Sequence, residues 1–373
     1  MDFYTNVVQW GNFLLVRGVD NNQRVNFRLK YKPTLFVPVM KQTDWKTLDG
    51  KSVTPYQFDC IKDAKDFLLK YESQPHLVHG LNRFAYTYIS DTFPQKVNWN
   101  IDKILIMTID IEVQCENGFP NPESAIEPLL SITVKNQQSK KIIVWGIQPY
   151  KNTREDVTYI RCPNEHDLIL EFMSFWTKNY PDVVTGWNTD FFDIPYLANR
   201  INQVCGESKM KELSPWGNVS SRKIYSMGRN HLMYDIMGVS QYDYLQLYQK
   251  FTYTRQESYK LDYIASVELG EKKDENPYET FREWYENDFQ SFIDYNIQDV
   301  EIVDKLEDKM GLIDLALTMA YEGKVNYSDV FGQVKYWDIL IYNFLRKRKI
   351  VIPQKSSHSK NEQYEGAYVK EPI

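Results

Sequence analysis

The sequence predicts a mixed α/β protein in which a β-rich N-terminal domain precedes a domain of interspersed strands and helices. Short apolar or alternating segments, separated by turn-forming residues, fill the first hundred residues. An unbroken apolar run at 104–109 is typical of a strand buried on both faces. Beyond residue 258 the apolar residues recur at helical spacing.

Length and composition set the limits for function. A chain of 373 residues is long enough for at least two domains at roughly 150 residues each. With 43% hydrophobic and 15% aromatic residues, the chain is neither disordered, collagen-like nor a membrane protein. The formal net charge is −6, so bulk charge gives no support for nucleic-acid binding. Any DNA-binding function must be argued from motifs.

The cysteines and the N-terminus indicate the compartment. Cys60, Cys115, Cys162 and Cys205 form no C-x-x-C pair, which argues against a zinc site and a disulfide framework. No signal peptide is evident, and no apolar run approaches the roughly 18 residues of a membrane span. We therefore expect reduced thiols, a cytoplasmic location and no membrane partner.

The predicted elements follow in chain order. In the first module we expect a helix and four strands, at 61–71 and at 6–10, 13–16, 25–31 and 35–37. In the second we expect a helix and four strands, at 165–178 and at 104–109, 130–134, 141–145 and 183–185. Residues 287–317 predict two amphipathic helices separated at Gly311, and the polar stretch 354–363 suits a surface linker.

A first pair of acids stands at the expected end of the central strand. Asp110 and Glu112 are two residues apart, so both project from one face of the strand. The alternative is an ordinary strand terminus that emerges into solvent.

A second motif follows the strand at 183–185. Gly186 marks a turn, and Asn188 precedes Asp193 at the start of an amphipathic segment. The alternative roles are a turn former for Asn188 and a helix N-cap for Asp193.

A third motif lies on a predicted helix. Tyr295 and Asp299 are four residues apart and share one helix face. The alternative is a half-buried tyrosine beside a solvated acid.

In this order, the three motifs resemble the proofreading 3′→5′ exonuclease domain of family-B DNA polymerases. Further segments resemble the replicative polymerases of T-even-type bacteriophages, and the similarity extends along the whole chain: 31–36, 88–92, 118–120, 243–251 and 335–338. The resemblance implies a ribonuclease-H-like exonuclease domain at 104–311. It also implies an N-terminal domain of residues 1–103 completed by 312–373. The polymerase palm, fingers and thumb are expected to be absent, through truncation or because the polymerase is naturally split.

The residue types suit phosphodiester hydrolysis. Several carboxylates without clustered His or Cys favour Mg²⁺, with Mn²⁺ as a substitute. By resemblance, two ions bind: Asp110 bridges both, Glu112 and Asp299 complete one site, and Asp193 holds the other. Tyr295 would orient the attacking water.

The resemblance also implies DNA contacts. Phe119 would stack on a single-stranded base, with a core phenylalanine as the alternative. Asn188 would contact DNA. Lys273 would lie near the scissile phosphate, with Lys272 as a competitor and a solvated charge run as the alternative. The stretch 223–234, with its turn at 228–230, would be the hairpin that parts template from primer.

The leading hypothesis is a proofreading exonuclease module that acts on single-stranded or frayed 3′ ends. Its partners would be a DNA 3′ end and the remaining polymerase portion, in the same parent chain or as a separate subunit. The alternative is a non-catalytic module that docks a separate polymerase piece and the template strand. A third possibility is RNA binding by the β-rich first domain.

Overall fold

The computed structural model describes residues 1–354 except 117, 227 and 272–275. The strands within this part of the chain are β1 (Phe3–Trp10), β2 (Phe13–Asp20), β3 (Gln23–Lys30), β4 (Thr34–Pro38), β5 (Trp45–Thr47), β6 (Ser52–Gln57), β7 (Ile106–Val113), β8 (Leu129–Asn136), β9 (Ile142–Gly146), β10 (Val157–Arg161), β11 (Val183–Gly186), β12 (Val219–Ser226), β13 (Arg229–Ile236), β14 (Ser240–Asp243) and β15 (Ile350–Val351).

The α-helices of the same part are α1 (Ile61–Lys70), α2 (Phe84–Thr92), α3 (Glu165–Lys178), α4 (Asp193–Cys205), α5 (Glu207–Lys211), α6 (Tyr244–Phe251), α7 (Leu261–Leu269), α8 (Phe281–Asn287), α9 (Phe289–Met310), α10 (Leu312–Gly323) and α11 (Gln333–Arg346). Short 3₁₀ turns occupy Pro75–Leu77, Ile101–Lys103 and Tyr327–Phe331. The architecture is mixed α/β with a β-rich N-terminal region, as the sequence predicts.

A mixed sheet of six described strands forms the centre of the second region, in the order β10-β9-β8-β7-β11-β14. Strand β7 is antiparallel to β8 and parallel to β11, which is parallel to β14. Because side chains alternate along a strand, Ile109 and Ile111 enter one core with α3 and α4. Asp110 and Glu112 consequently project toward the opposite face of the sheet.

Helices α8 and α9 cover that opposite face. Phe292, Ile293 and Ile297 of α9 pack on buried side chains of β8 and β9. The helix begins after Asp288, whose carboxylate accepts a hydrogen bond from the Ser291 N–H at 3.1 Å. It ends at Gly311, which adopts the left-handed conformation (φ 61°) that favours glycine. The predicted division of 287–317 into two helices at Gly311 is confirmed.

The N-terminal region contains two further sheets in the described part of the chain. One is β1-β2-β3, and the other has the order β15-β5-β6-β4. Strand β15 returns from the C-terminal side and pairs with β5, with Ile350 opposite Lys46. Tyr4 of β1 donates to the Val325 carbonyl at 2.7 Å, so the segment after α9 also packs on the first sheet. The exact domain boundaries at 103 and 311 stay a prediction.

The first sheet is also joined to the central one through a buried ion pair. Arg17 of β2 contacts Asp182 at 3.2 Å, and Arg24 of β3 contacts the same carboxylate at 3.0 Å. Thr5 donates its hydroxyl to Asp182 at 2.9 Å. Asp182 directly precedes β11, so these contacts hold the start of that strand.

Several predicted boundaries differ from the observed ones. The strand expected at 104–109 runs to Val113, because β8 continues to pair with it beyond both acids. The expectation that Asp110 and Glu112 interrupt its end, and the alternative of a solvated terminus, are therefore wrong. Helix α3 has the predicted bounds. Strands β5, β6, β10, β14 and β15 and helices α2, α5 and α6 were not predicted. All but the first residue of the stretch 354–363 lies outside the described residues.

No described helix has the length and apolar character needed to cross a membrane.

Candidate active site

Three carboxylates from two elements meet above the central sheet. Asp110, Glu112 and Asp299 each offer an oxygen, and these oxygens lie within 4.8 Å of one another. Among the residues that the structure describes, no other group of three His, Cys, Asp or Glu side chains meets this criterion. Glu112 and Asp299 are buried and Asp110 is partly exposed. All the donors are hard oxygen ligands, which fits a Mg²⁺ or Mn²⁺ ion.

The fold explains why these acids meet. Alternation along β7 places Asp110 and Glu112 on the face that α9 covers, and the apolar side of α9 fixes which residues face the sheet. Asp299 lies between Ile297 and Val300 on that helix, so it is held against β7.

Asp193 lies against β7 from the side of α4. It is 3% exposed, and its Oδ1 accepts a hydrogen bond from the Ile111 N–H at 3.1 Å. Burial, followed by the charges of Asp243 and Asp299, raises the pKa of Asp193 to about 8. It is the first residue of α4 after the N-cap Phe192, so the N-cap alternative is wrong. Asp193 is not among the three clustered acids, although the Asp299 charge acts on it.

The loop before Asp193 is fixed by close packing at Gly186. A Cβ there would lie 2.4 Å from the Ile109 carbonyl oxygen and 2.5 Å from Thr189 Cγ2, so only glycine fits. The loop therefore approaches the β7 backbone closely.

The same loop is held by Asp243, which the sequence reasoning missed. Its carboxylate accepts the N–H groups of Asn188 at 3.0 Å and Asp190 at 3.3 Å. It also accepts the Leu245 N–H at the start of α6. An aspartate directly before the segment 244–251 was the available signal, but it indicates only a helix cap.

Tyr295 lies one helical turn before Asp299 on α9 and is partly exposed. Its ring packs against Trp284 and Phe281 of α8, with centroid separations of 4.9 and 6.2 Å. The two aromatic rings of α8 thus hold the Tyr295 ring in place, and Tyr295 stays partly exposed.

The neighbouring Asn296 was also missed by the sequence reasoning. It is fully buried, and its Nδ2 donates to Asp110 Oδ2 at 2.5 Å. Its Oδ1 accepts the hydroxyls of Ser131, at 2.9 Å, and of Thr133. These partners are more than 160 residues away in sequence, so no local signal could identify them.

A cleft of about 420 Å³ is lined by two of the predicted DNA-contact residues, Phe119 and Asn188. Phe119 is 83% exposed, with its ring 5.1 Å from that of Phe192. The alternative of a core phenylalanine is therefore wrong. Asn188 has a φ of 65°, which agrees with a turn-forming role and leaves DNA contact open as a second role. Lys273 and its competitor Lys272 lie outside the described residues.

The predicted hairpin is present and longer than expected. Strands β12 and β13 pair from Val219 opposite Ile236 to Ser226 opposite Arg229. Gly228 lies in the turn as predicted, whereas Arg229 and Asn230, which were expected in the turn, belong to the second strand. Asn230 and His231 line the 420 Å³ cleft, which places the hairpin beside Phe119 and Asn188.

A larger cleft of about 720 Å³ lies between β1, α2 and β13. None of the three clustered acids lines it. The clustered carboxylates, rather than cavity volume, therefore identify the candidate active site.

Comparisons with known proteins show what this chain is similar to. Residues 82–264 match the model of the exonuclease domain of DNA polymerase family B. The whole chain is 34% identical to a DNA-directed DNA polymerase of Escherichia phage RB69 and 33% identical to that of Enterobacteria phage T4. It covers 44% of each phage protein. Over 75% of its length it is 26% identical to a DNA polymerase delta catalytic subunit of Candida albicans, of which it covers 28%.

Proposed function

Because this chain belongs to DNA polymerase family B and carries that family's exonuclease domain, we propose that it removes nucleotides from the 3′ end of single-stranded or frayed DNA. The observation that carries the proposal is the group of Asp110, Glu112 and Asp299, whose carboxylate oxygens lie within 4.8 Å. In a polymerase this reaction is proofreading. The chain spans less than half the length of its phage relatives, so DNA synthesis and the partners of a whole polymerase are proposals here.

We propose that the carboxylates hold divalent metal ions. Asp110, Glu112 and Asp299 would hold one ion, and Asp193 would take part in a second, which Asp110 would share. Mg²⁺ is the expected ion because all of these ligands are carboxylate oxygens, and Mn²⁺ is the expected substitute. When bound, two such ions supply a nucleophile at neutral pH and charge compensation for the leaving oxygen.

The other residues would hold the reactants. Tyr295 would orient the attacking water, because it lies one turn from Asp299 with its ring fixed by Trp284. Phe119 would stack on an unpaired base, an interaction worth roughly 1–3 kcal/mol per base. Asn188 lines the same cleft and would contact the strand. Lys273 stays a sequence-based candidate for a phosphate contact.

The test is removal of the two acids on β7. Asp110→Ala combined with Glu112→Ala is expected to abolish release of 5′-mononucleotides from labelled single-stranded oligonucleotides. Wild-type protein should act only with Mg²⁺ or Mn²⁺ present. The variant should stay folded, because removing clustered acids relieves their repulsion.

A matched control removes two exposed carboxylates from α1, with Asp63→Ala and Asp66→Ala. This variant should keep the wild-type rate. Full activity of the Asp110→Ala, Glu112→Ala protein would contradict the proposed site.

A purely non-catalytic docking module is not favoured, because it gives no reason for three acids to meet in one place. RNA binding by the first domain and a cytoplasmic location stay predictions.

A further inference from the structure

We infer that Asn296 is a positioning residue, which holds the Asp110 carboxylate in the orientation needed to bind a metal ion. The inference rests on the proposed function, because it assigns a role toward the same metal site. It concerns a residue that touches Asp110 rather than the DNA.

The direction of the Asn296 amide follows from its partners. An ionised Asp110 only accepts hydrogen bonds, so the Asn296 NH₂ group must face it. The reversed amide would set the Asn296 carbonyl oxygen against the carboxylate at 2.5 Å, which is repulsive. The amide oxygen consequently faces Ser131 and Thr133, whose hydroxyls can both donate to it.

Strand pairing places these hydroxyls. Thr133 lies opposite Asp110 and Ser131 lies opposite Glu112 in the antiparallel register of β7 and β8. Side chains of directly opposite residues project from the same face of a sheet, so both hydroxyls face α9. The chain of hydrogen bonds thus runs from β8 through Asn296 to Asp110.

Burial restricts this series of hydrogen bonds to one arrangement. Ser131, Thr133 and Asn296 are all fully buried, and a buried polar group without partners is costly. The amide therefore has one well-satisfied orientation, which fixes Oδ2 of Asp110. Hydrogen-bond partners behind a metal ligand typically change metal affinity or activity by roughly 10- to 100-fold when they are removed.

The experiment measures Mn²⁺ binding to the full chain by electron paramagnetic resonance, without DNA. Asn296→Leu, which preserves size and removes the amide, should weaken Mn²⁺ binding by roughly 10-fold or more. Ser131→Ala combined with Thr133→Val keeps Asn296 but removes both hydroxyls, and should also weaken binding. Thr133→Ser retains a hydroxyl and should restore near-wild-type affinity.

A second measurement is the Mg²⁺ dependence of nuclease activity. The positioning role predicts a higher half-saturating Mg²⁺ concentration for Asn296→Leu, with much of the rate regained at high Mg²⁺. A merely structural role would lower the melting temperature and leave the Mg²⁺ dependence unchanged. If Asn296→Leu does not fold, the comparison between the Ser131→Ala, Thr133→Val protein and Thr133→Ser decides the question.

The outcomes separate the inference from the proposed function. Equal Mn²⁺ binding by wild type and Asp110→Ala would contradict the metal site itself. Loss of binding in Asp110→Ala, together with wild-type affinity in the Asn296 and hydroxyl variants, would overturn the positioning role alone.

Discussion

The four acids predicted to bind metal differ in their surroundings. Asp110 is partly exposed and touches a neutral amide, whereas Asp193 is almost fully buried and accepts a backbone N–H group of β7. Burial raises the pKa of Asp193 to about 8, so this carboxyl is protonated at neutral pH in the absence of an ion. Ion binding at Asp193 would therefore release a proton.

One prediction concerns the hydroxyl group of Tyr295. Tyr295→Phe should lower turnover by roughly 10- to 100-fold, because positioning a water is one contribution among several. The melting temperature should be unchanged, since the ring keeps its packing on Trp284. Rates on single-stranded DNA measure this, with the exposed Tyr56→Phe as the control. Unchanged turnover with normal metal dependence would show that Tyr295 is structural.

A second residue-level prediction concerns Asp190, which accepts a hydrogen bond from Gln246 at 2.8 Å. Burial, followed by the charge of Asp243, raises its pKa to about 8, against about 3.9 in an unfolded chain. Between about pH 4 and pH 8, Asp190 therefore keeps its proton in the folded protein, whereas the same carboxyl in the unfolded chain has lost it. Stability consequently falls as pH rises through this window.

Asp190→Asn should remove this loss of stability with rising pH. It keeps a side-chain oxygen that can accept the hydrogen bond from Gln246. Its melting temperature should rise relative to wild type as the pH increases from 5 to 8, and thermal unfolding across this range measures the difference. Asp102→Asn, at an exposed position, should show no such trend. A constant difference between Asp190→Asn and wild type over the range would refute the prediction.

Among the elements, the contact between the first sheet and β11 is open to test. Arg17 is 4% exposed, contacts Asp182 and donates to the carbonyls of Pro181, Tyr180 and Gly238. Arg17→Met should lower the free energy of unfolding by about 3–5 kcal/mol, because a buried carboxylate loses a partner. Denaturant unfolding measures this.

The matched control is Arg282→Met, which breaks the exposed Arg282–Glu286 pair on α8. Surface pairs of this kind contribute less than about 1 kcal/mol. Similar losses in the two variants would show that the Asp182 contact is no stronger than a surface pair.

The sequence predicted the elements whose signals are local. Alternation in β7 placed Asp110 and Glu112 on one face, and helical spacing placed Tyr295 and Asp299 together. The meeting of Asp299 with β7, however, came from resemblance and not from spacing. Asn296 and Asp243 were missed because their partners come from distant strands and loops. Strand β15 pairs across about 300 residues with β5, which no local pattern could show. The roles of the site residues stay predictions.

For the whole molecule, the net charge predicts the preferred substrate. The net charge is −6, so little basic surface is expected to neutralise the phosphates of a duplex. We expect single-stranded 3′ ends to be degraded at least about 10-fold faster than matched duplex ends. Mismatched ends should fall between them, because unpairing a mismatch costs less energy.

The measurement compares rates on the three substrates at two salt concentrations. Binding should weaken only modestly with salt, since few phosphates are expected to be neutralised. Equal rates on matched duplex and single strand would show that the chain grips duplex DNA unaided.

The contacts between the first sheet and Asp182 limit how this protein can be divided into smaller fragments. A minimal nuclease that starts at residue 104 would lose Thr5, Arg17 and Arg24, and would keep a carboxylate designed for three absent donors. Asp182 directly precedes the strand that leads to Gly186 and Asp193, so the damage would reach the loop between these two residues. A fragment that retains the first sheet as a built-in scaffold would keep all three donors.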